Sequence, residues 1–182
     1  MKSHVRWHVA GIVGLTLCLS QPVMAQTEKV AVGTIVASIG ATTYEGETLD
    51  VPSDGTATAE FRTFGPMRSV SIQGHDPNAE SIMRNVLTLD LMVMGNDASA
   101  TVSDATVAYF PEGMSAPFYH SEQSAPPAQI VLDTLSFEDG AARATGSFTA
   151  LVCRKDDYFS EADENDCLPV EGRFDTALRD SG

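Results

Sequence analysis

Basic residues are scarce in this chain of 182 residues: 11 Lys and Arg stand against 25 Asp and Glu, a formal charge of −14. So acidic a surface repels polyanions and anionic lipid, which excludes a nucleic-acid partner, because neutralising phosphates requires a basic face. Long apolar runs are missing as well. Val9 to Leu19 is eleven residues, about half of the roughly 20 that a membrane-spanning helix needs, so no membrane span is expected. The common catalytic signatures are lacking: there is no G-x-S-x-G elbow, no H-E-x-x-H, no P-loop and no G-x-G-x-x-G. Cysteines number three and histidines four, too few for a cysteine-rich scaffold or a histidine-rich metal tract.

What is present begins with an export signal. Lys2 and Arg6 precede the apolar run, Pro22 breaks it, and Val23-Met24-Ala25 places small residues at the −3 and −1 positions. Residues 1–25 therefore read as a secretory signal peptide cleaved after Ala25. Lipid attachment at Cys18 is disfavoured, since that processing wants a small residue where Leu17 stands. The expected mature chain, residues 26–182, is a single domain with nine basic residues against 25 acidic ones, a charge of −16. Its expected place is the periplasm or the extracellular space. Two cysteines remain, Cys153 and Cys167, and in an oxidising compartment such a pair reads as one disulfide.

Short segments with a period of two recur between Gly, Pro, Asn and Asp clusters: Thr34 to Ile39, Thr56 to Phe64, Ser69 to Gln73, Val86 to Met94 and Thr101 to Phe110. This pattern predicts an all-β fold, an antiparallel β-sandwich or open barrel of about eight strands. At most one short helical turn is expected, beginning at Asp76 with Pro77 in its first position. Farther on, Ile130 to Phe137, a two-residue reversal at Asp139-Gly140, and Ala142 to Val152 predict a hairpin. Ala144, Gly146, Phe148, Ala150 and Val152 share its inward face. A third strand, Leu168 to Leu178, turns Val170, Gly172, Phe174 and Leu178 inward and Glu171, Arg173, Asp175 and Arg179 outward. Antiparallel pairing of these strands would set Cys153 beside Cys167 and enclose 15 residues, worth about 3 kcal/mol by loop entropy.

Gly146-Ser147-Phe148-Thr149-Ala150 followed by Val170-Glu171-Gly172-Arg173-Phe174-Asp175, with the early Thr34 to Ile39 and Ala41-Thr42-Thr43-Tyr44 strands, resembles uncharacterised secreted bacterial proteins of the domain-of-unknown-function type. Those end in a G-x-F hairpin and a G-x-F-D strand. The resemblance spans about 60 residues and implies a β fold, with no activity and no residue roles.

Candidate chemistry is sparse. His75 and His120 are the histidines of the mature chain; either could serve a small secreted hydrolase as general base, although both lie beside turn residues where a solvated imidazole is the plainer expectation. Met92 and Met94, with Met83 or His75, offer thioether and imidazole ligands for copper(I), against a core role on a strand buried on both faces. Tyr109, Phe110, Phe118 and Tyr119 flank a Gly/Pro loop, either capping the core or forming a recognition patch. In the acidic loop from Arg154 to Asp166, Glu161, Asp163 and Asn165 fall at i, i+2, i+4 with Asp166 next. The alternatives are a solvated charged loop or a weak calcium site, with a dissociation constant of roughly 0.1 to 1 mM. The pattern is not an EF-hand, for Asp166 occupies the turn-glycine position. No other cofactor is implied. The function these features favour is an exported, non-enzymatic binding or structural module for a protein or small-molecule partner, and the hydrolase is the alternative.

Overall fold

The computed structural model describes residues 28–114, 117–122 and 124–182; the expected signal peptide and cleavage site lie outside them. The described chain is all-β. Its strands are β1 (Val30–Ile39), β2 (Thr42–Val51), β3 (Thr56–Ala57), β4 (Ala59–Phe64), β5 (Met67–His75), β6 (Val86–Met94), β7 (Thr101–Phe110), β8 (Phe118–His120), β9 (Gln129–Ser136), β10 (Arg143–Lys155), β11 (Asp163–Ala177) and β12 (Arg179–Asp180).

All twelve belong to one sheet that curls back on itself. Of the two architectures expected, the pairing follows the barrel: β1, β2, β5, β6, β7, β8, β10 and β11 form an eight-membered circuit that returns to β1. The other four strands thicken its edges, and β12, parallel to β4, makes the sheet mixed. Closure is narrow at two places. Between β2 and β5 it rests on the single pair Glu47 and His75, reinforced by Thr58. That residue donates its backbone N–H to Leu49 O (2.8 Å) and accepts from Gln73 N (2.7 Å), while its hydroxyl donates to Gln73 O (2.9 Å) and accepts from Leu49 N (2.8 Å). Between β7 and β10 it rests on the three residues of β8.

Period-two alternation fills the interior. Ile35, Ile72, Leu89, Val107, Phe148 and Val152 are buried in one cluster, each full burial being worth about 1.5–3 kcal/mol. On β10 and β11 the expected faces are observed: Ala144, Gly146, Phe148 and Val152 point in against Val170 and Phe174, and Glu171, Arg173 and Asp175 point out. The register pairs Gly146 with Phe174 and Phe148 with Gly172. A Cβ at Gly172 would stand 2.6 Å from the tip of the Phe148 ring, and one at Gly146 2.9 Å from the tip of the Phe174 ring. Each phenylalanine thus covers the glycine of the facing strand. In the same register Cys153 pairs with Cys167, and the two form a disulfide.

Four local expectations are corrected. Residues 76–85 are not a helical turn but two separate hydrogen-bonded turns, Ala79 N to Asp76 O and Arg84 N to Ser81 O; Asp76 also accepts from Asn78 N and Asn85 Nδ2, drawing the backbone away from a helix. The β9–β10 reversal is a six-residue connection, Ser136 pairing with Arg143, although Asp139-Gly140 does form its tight turn, with Gly140 at φ 71°. The lower half of β6 is not buried on both faces: Asp90 and Met94 are exposed on the outside. Much of the acidic loop is strand, because β10 runs on to Lys155 and β11 begins at Asp163.

Two stability measurements check this architecture. Gly172→Ala should lose about 1–3 kcal/mol in urea unfolding through overpacking against Phe148, the Val36 carbonyl and Ala37, with exposed Glu171→Ala within about 0.5 kcal/mol of wild type; equal effects would show that the glycine is not a packing constraint. The Cys153→Ala/Cys167→Ala double variant should lose about 2–4 kcal/mol, and a change below about 0.5 kcal/mol would contradict the cross-link's stabilising role.

Candidate functional site

Alternation also decides what the outer face displays. Across the closed end of the sheet the register aligns Gln73, Thr88, Ala108, His120 and Cys153 in one outward row, with Ser71 and Asp90 in the row beside it. Above them a second apolar cluster forms from Val86, Ala108, Phe110 and Phe118, with Met114 against it. Phe110 stacks on Phe118 (centroids 5.0 Å apart) and Tyr158 leans on Phe118 (4.8 Å). Between the polar row and the aromatic wall lies a groove of about 240 Å3, reached by Asp90, His120, Glu122, Lys155 and Tyr158.

Lys155 closes β10 opposite Phe118 and is only 8% exposed. Among the described residues its ammonium has no ion pair and no hydrogen bond, whereas Arg84, Arg143, Arg154, Arg173 and Arg179 each meet a carboxylate. It is the Lys155 stem that is buried, along the aromatic wall, while the side chain lines the groove.

His120 accepts the Glu122 backbone N–H at Nδ1 (3.0 Å), so the neutral ring carries its proton on Nε2. Burial lowers its pKa below 6.5, the Lys155 charge lowers it further, and Glu122 and Asp90 act in the opposite sense. His75 has the other tautomer: Nδ1 faces the Ile82 carbonyl at 2.7 Å and must donate, leaving Nε2 buried without a partner. Burial lowers its pKa too, against the Ile82 bond that raises it. Neither ring presents a free lone pair at the surface, since that of His75 is enclosed and that of His120 is occupied.

No known protein family, characterised protein or solved structure matches this chain.

The residues singled out from the sequence are distributed as follows. Asp163 accepts from the backbone N (2.9 Å) and side-chain amide (3.1 Å) of Asn165. Asp166 turns instead to Arg154 (3.8 Å) and the Tyr119 hydroxyl (3.4 Å), and Glu161 is exposed. Among the described residues no group of three or more His, Cys, Asp or Glu side chains is placed to hold a metal ion. Met92 and Met94 sit at the far end of β6 from His75, eight residues along the paired strand from Met94 to Val86, roughly 26 Å at strand rise, so they form no common site with it. The four aromatics split by parity. Phe110 and Phe118 wall the groove, while Tyr109 and Tyr119 stack inside (6.4 Å) and the Tyr109 hydroxyl donates to Asn85. Asp90, Glu122, Lys155 and Tyr158 are the charged and aromatic groove residues that the sequence reading missed. At the opposite end of the barrel a mouth of about 410 Å3 lies against Phe61, Phe137 and Leu178; its one cation, Arg179, is paired with Asp50 at 2.5 Å, and Glu138, Asp139 and Asp180 leave it acidic.

The two histidines set an acid limit. Both have folded-state pKa values below the unfolded 6.5, so the unfolded chain holds more protons in the interval between and stability rises with pH. The contribution is complete above about pH 7 and is lost as pH falls from 6.5 through the folded values. Asp76 and Asp97, held below 3.8 by hydrogen bonds from Asn78 and Asn85 and from Ser99, act only at more acid pH. Urea unfolding from pH 8 to 4.5 should show a plateau and then a decline, flattened in the His75→Asn/His120→Asn variant; an unchanged decline would place its origin elsewhere.

Proposed function

We propose that this chain is an exported, non-enzymatic binding module that begins at Gln26 after signal cleavage, works in the periplasm or outside the cell, and captures a small ligand in the outer-face groove. The observation that carries the reading is the groove itself: an aromatic wall of Phe118 and Tyr158 beside Lys155, which has no ion pair or hydrogen bond among the described residues. Ligand sites combine apolar lining with a few convergent polar groups in this way. Export is supported by the basic, apolar and small-residue order of residues 1–25 and by the Cys153–Cys167 disulfide. Binding is favoured over hydrolysis by the two imidazoles, neither of which offers a surface lone pair to take a proton. Among the described residues no helix is long and apolar enough to cross a membrane.

Native mass spectrometry of the protein recovered from the exported fraction of its own host tests this. A polypeptide mass starting at Gln26 is expected, with a bound small molecule that is at least about tenfold depleted in Tyr158→Ala. A lipid-modified start at Cys18 would refute the processing, and an undiminished adduct would refute the groove. Generic ester or glycoside turnover that disappears in His75→Ala/His120→Ala would instead establish the hydrolase.

A further inference from the structure

We propose that the groove is a monocarboxylate site, in which Lys155 Nζ and the Nε2–H of His120 hold the carboxylate of a small organic acid whose apolar body lies on Phe118 and Tyr158. This rests on the binding reading above and adds the ligand's chemistry.

The lone ammonium is the starting point. Acidic residues outnumber basic ones by more than two to one, and two of them, Asp90 and Glu122, line the same groove. Yet no carboxylate of the described residues stands within ion-pairing distance of Lys155, which is more than nine-tenths buried. Among the described residues Lys155, its stem buried, lines the groove with no carboxylate paired with it. The counter-charge that fits is external.

His120 supplies a second donor. Its Nδ1 is occupied by the Glu122 amide, and its Nε2–H has no partner among the described residues. The Lys155 charge is felt at this ring, which places the two donors in one electrostatic neighbourhood. An ammonium and an N–H make charge-assisted bonds to a carboxylate's two oxygens.

Size and charge narrow the ligand further. The groove holds about 240 Å3, below the roughly 300 Å3 at which sites for drug-sized molecules begin. Asp90 and Glu122 at the same groove would repel a second negative charge, which disfavours dicarboxylates, phosphate and sulfate. Aromatic rings on one wall suit a short apolar group. Because the protein as a whole is strongly acidic, the attraction is local, held in a partly dry site where salt screens it less than at an open surface.

Phenylacetate, its neutral isostere phenylacetamide, and inorganic phosphate are the probes, titrated calorimetrically into the mature protein. Phenylacetate should bind at millimolar concentration or below, with phenylacetamide and phosphate at least tenfold weaker. Lys155→Met, close in shape and uncharged, should weaken phenylacetate at least tenfold, and Tyr158→Ala should weaken both aromatic probes. Since the mature chain has only His75 and His120, proton NMR of the wild type resolves each ring. Bound carboxylate should raise the His120 midpoint by about half a pH unit or more and leave His75 unmoved. This readout stands even if Lys155→Met does not fold. Phenylacetate and phenylacetamide binding alike, or an unmoved His120 midpoint at saturation, would overturn the carboxylate assignment and show that Lys155 only extends its stem along the apolar wall. The groove reading would survive that result provided Tyr158→Ala still abolished binding, and would fail with it if Tyr158→Ala had no effect.

Discussion

Two phenylalanine rings packed on two glycines hold the molecule in register. Phe148 lies over Gly172 and Phe174 over Gly146 across β10 and β11. Slipping by one residue would turn both rings to solvent and bring charged Arg173 inward, so the arrangement admits one alignment. The pairing keeps this alignment as far as Cys153. Five residues beyond Phe148 the same alignment sets Cys153 opposite Cys167, and the disulfide locks it. Two residues beyond Cys153, strand parity puts Lys155 on the outer face. The β10–β11 register shifts just after Cys153, and it is the regular pairing of β10 with β8 that sets Lys155 opposite Phe118.

The barrel closes at the end where this happens. Glu47 with His75, the Thr58 stitch between β2 and β5, and the short β8 between β7 and β10 draw the strands together there. Closing the circuit brings Gln73, Thr88 and His120 into one outward row, and the connections on either side fold over it. Phe110 and Phe118 become buried on the outside of the sheet, and Tyr158 from the loop after β10 completes the wall. Most outer faces of a barrel are flat and solvated. This one has a second apolar cluster, and the groove lies along its edge. Burial of His120 and Lys155 follows from that cover, as does the lowered proton affinity of His120.

Much of the fold was legible in the residues. Period-two alternation marked most of the strands, the inward set of β10 and β11 was read correctly, and the disulfide followed from strand order. The G-x-F repeats were visible as a motif, but their reciprocal packing was not, because it depends on register between strands. Local chemistry misled at Asp76, whose carboxylate serves Asn78 and Asn85 and diverts a sequence that otherwise looks like a helix start. The acidic composition from Asp156 onward suggested a long loop, whereas pairing extends β10 to Lys155 and begins β11 at Asp163. That error hid the candidate site. Continuing the alternation past Cys153 would have placed Lys155 on the outer face. No sequence pattern announces that Phe118 and Tyr158 cover it, since these come from separate segments joined only by the sheet.

Amide chemical-shift mapping of isotopically labelled protein spanning residues 26–182 during a phenylacetate titration tests the central claim most directly, because it reports where a ligand sits without altering a residue. Perturbations confined to residues 71–73, 88–90, 118–122 and 155–158 are the predicted result. Perturbations centred instead on the opposite mouth, at Asp50, Phe61, Phe137 and Leu178, with the groove silent, would contradict it.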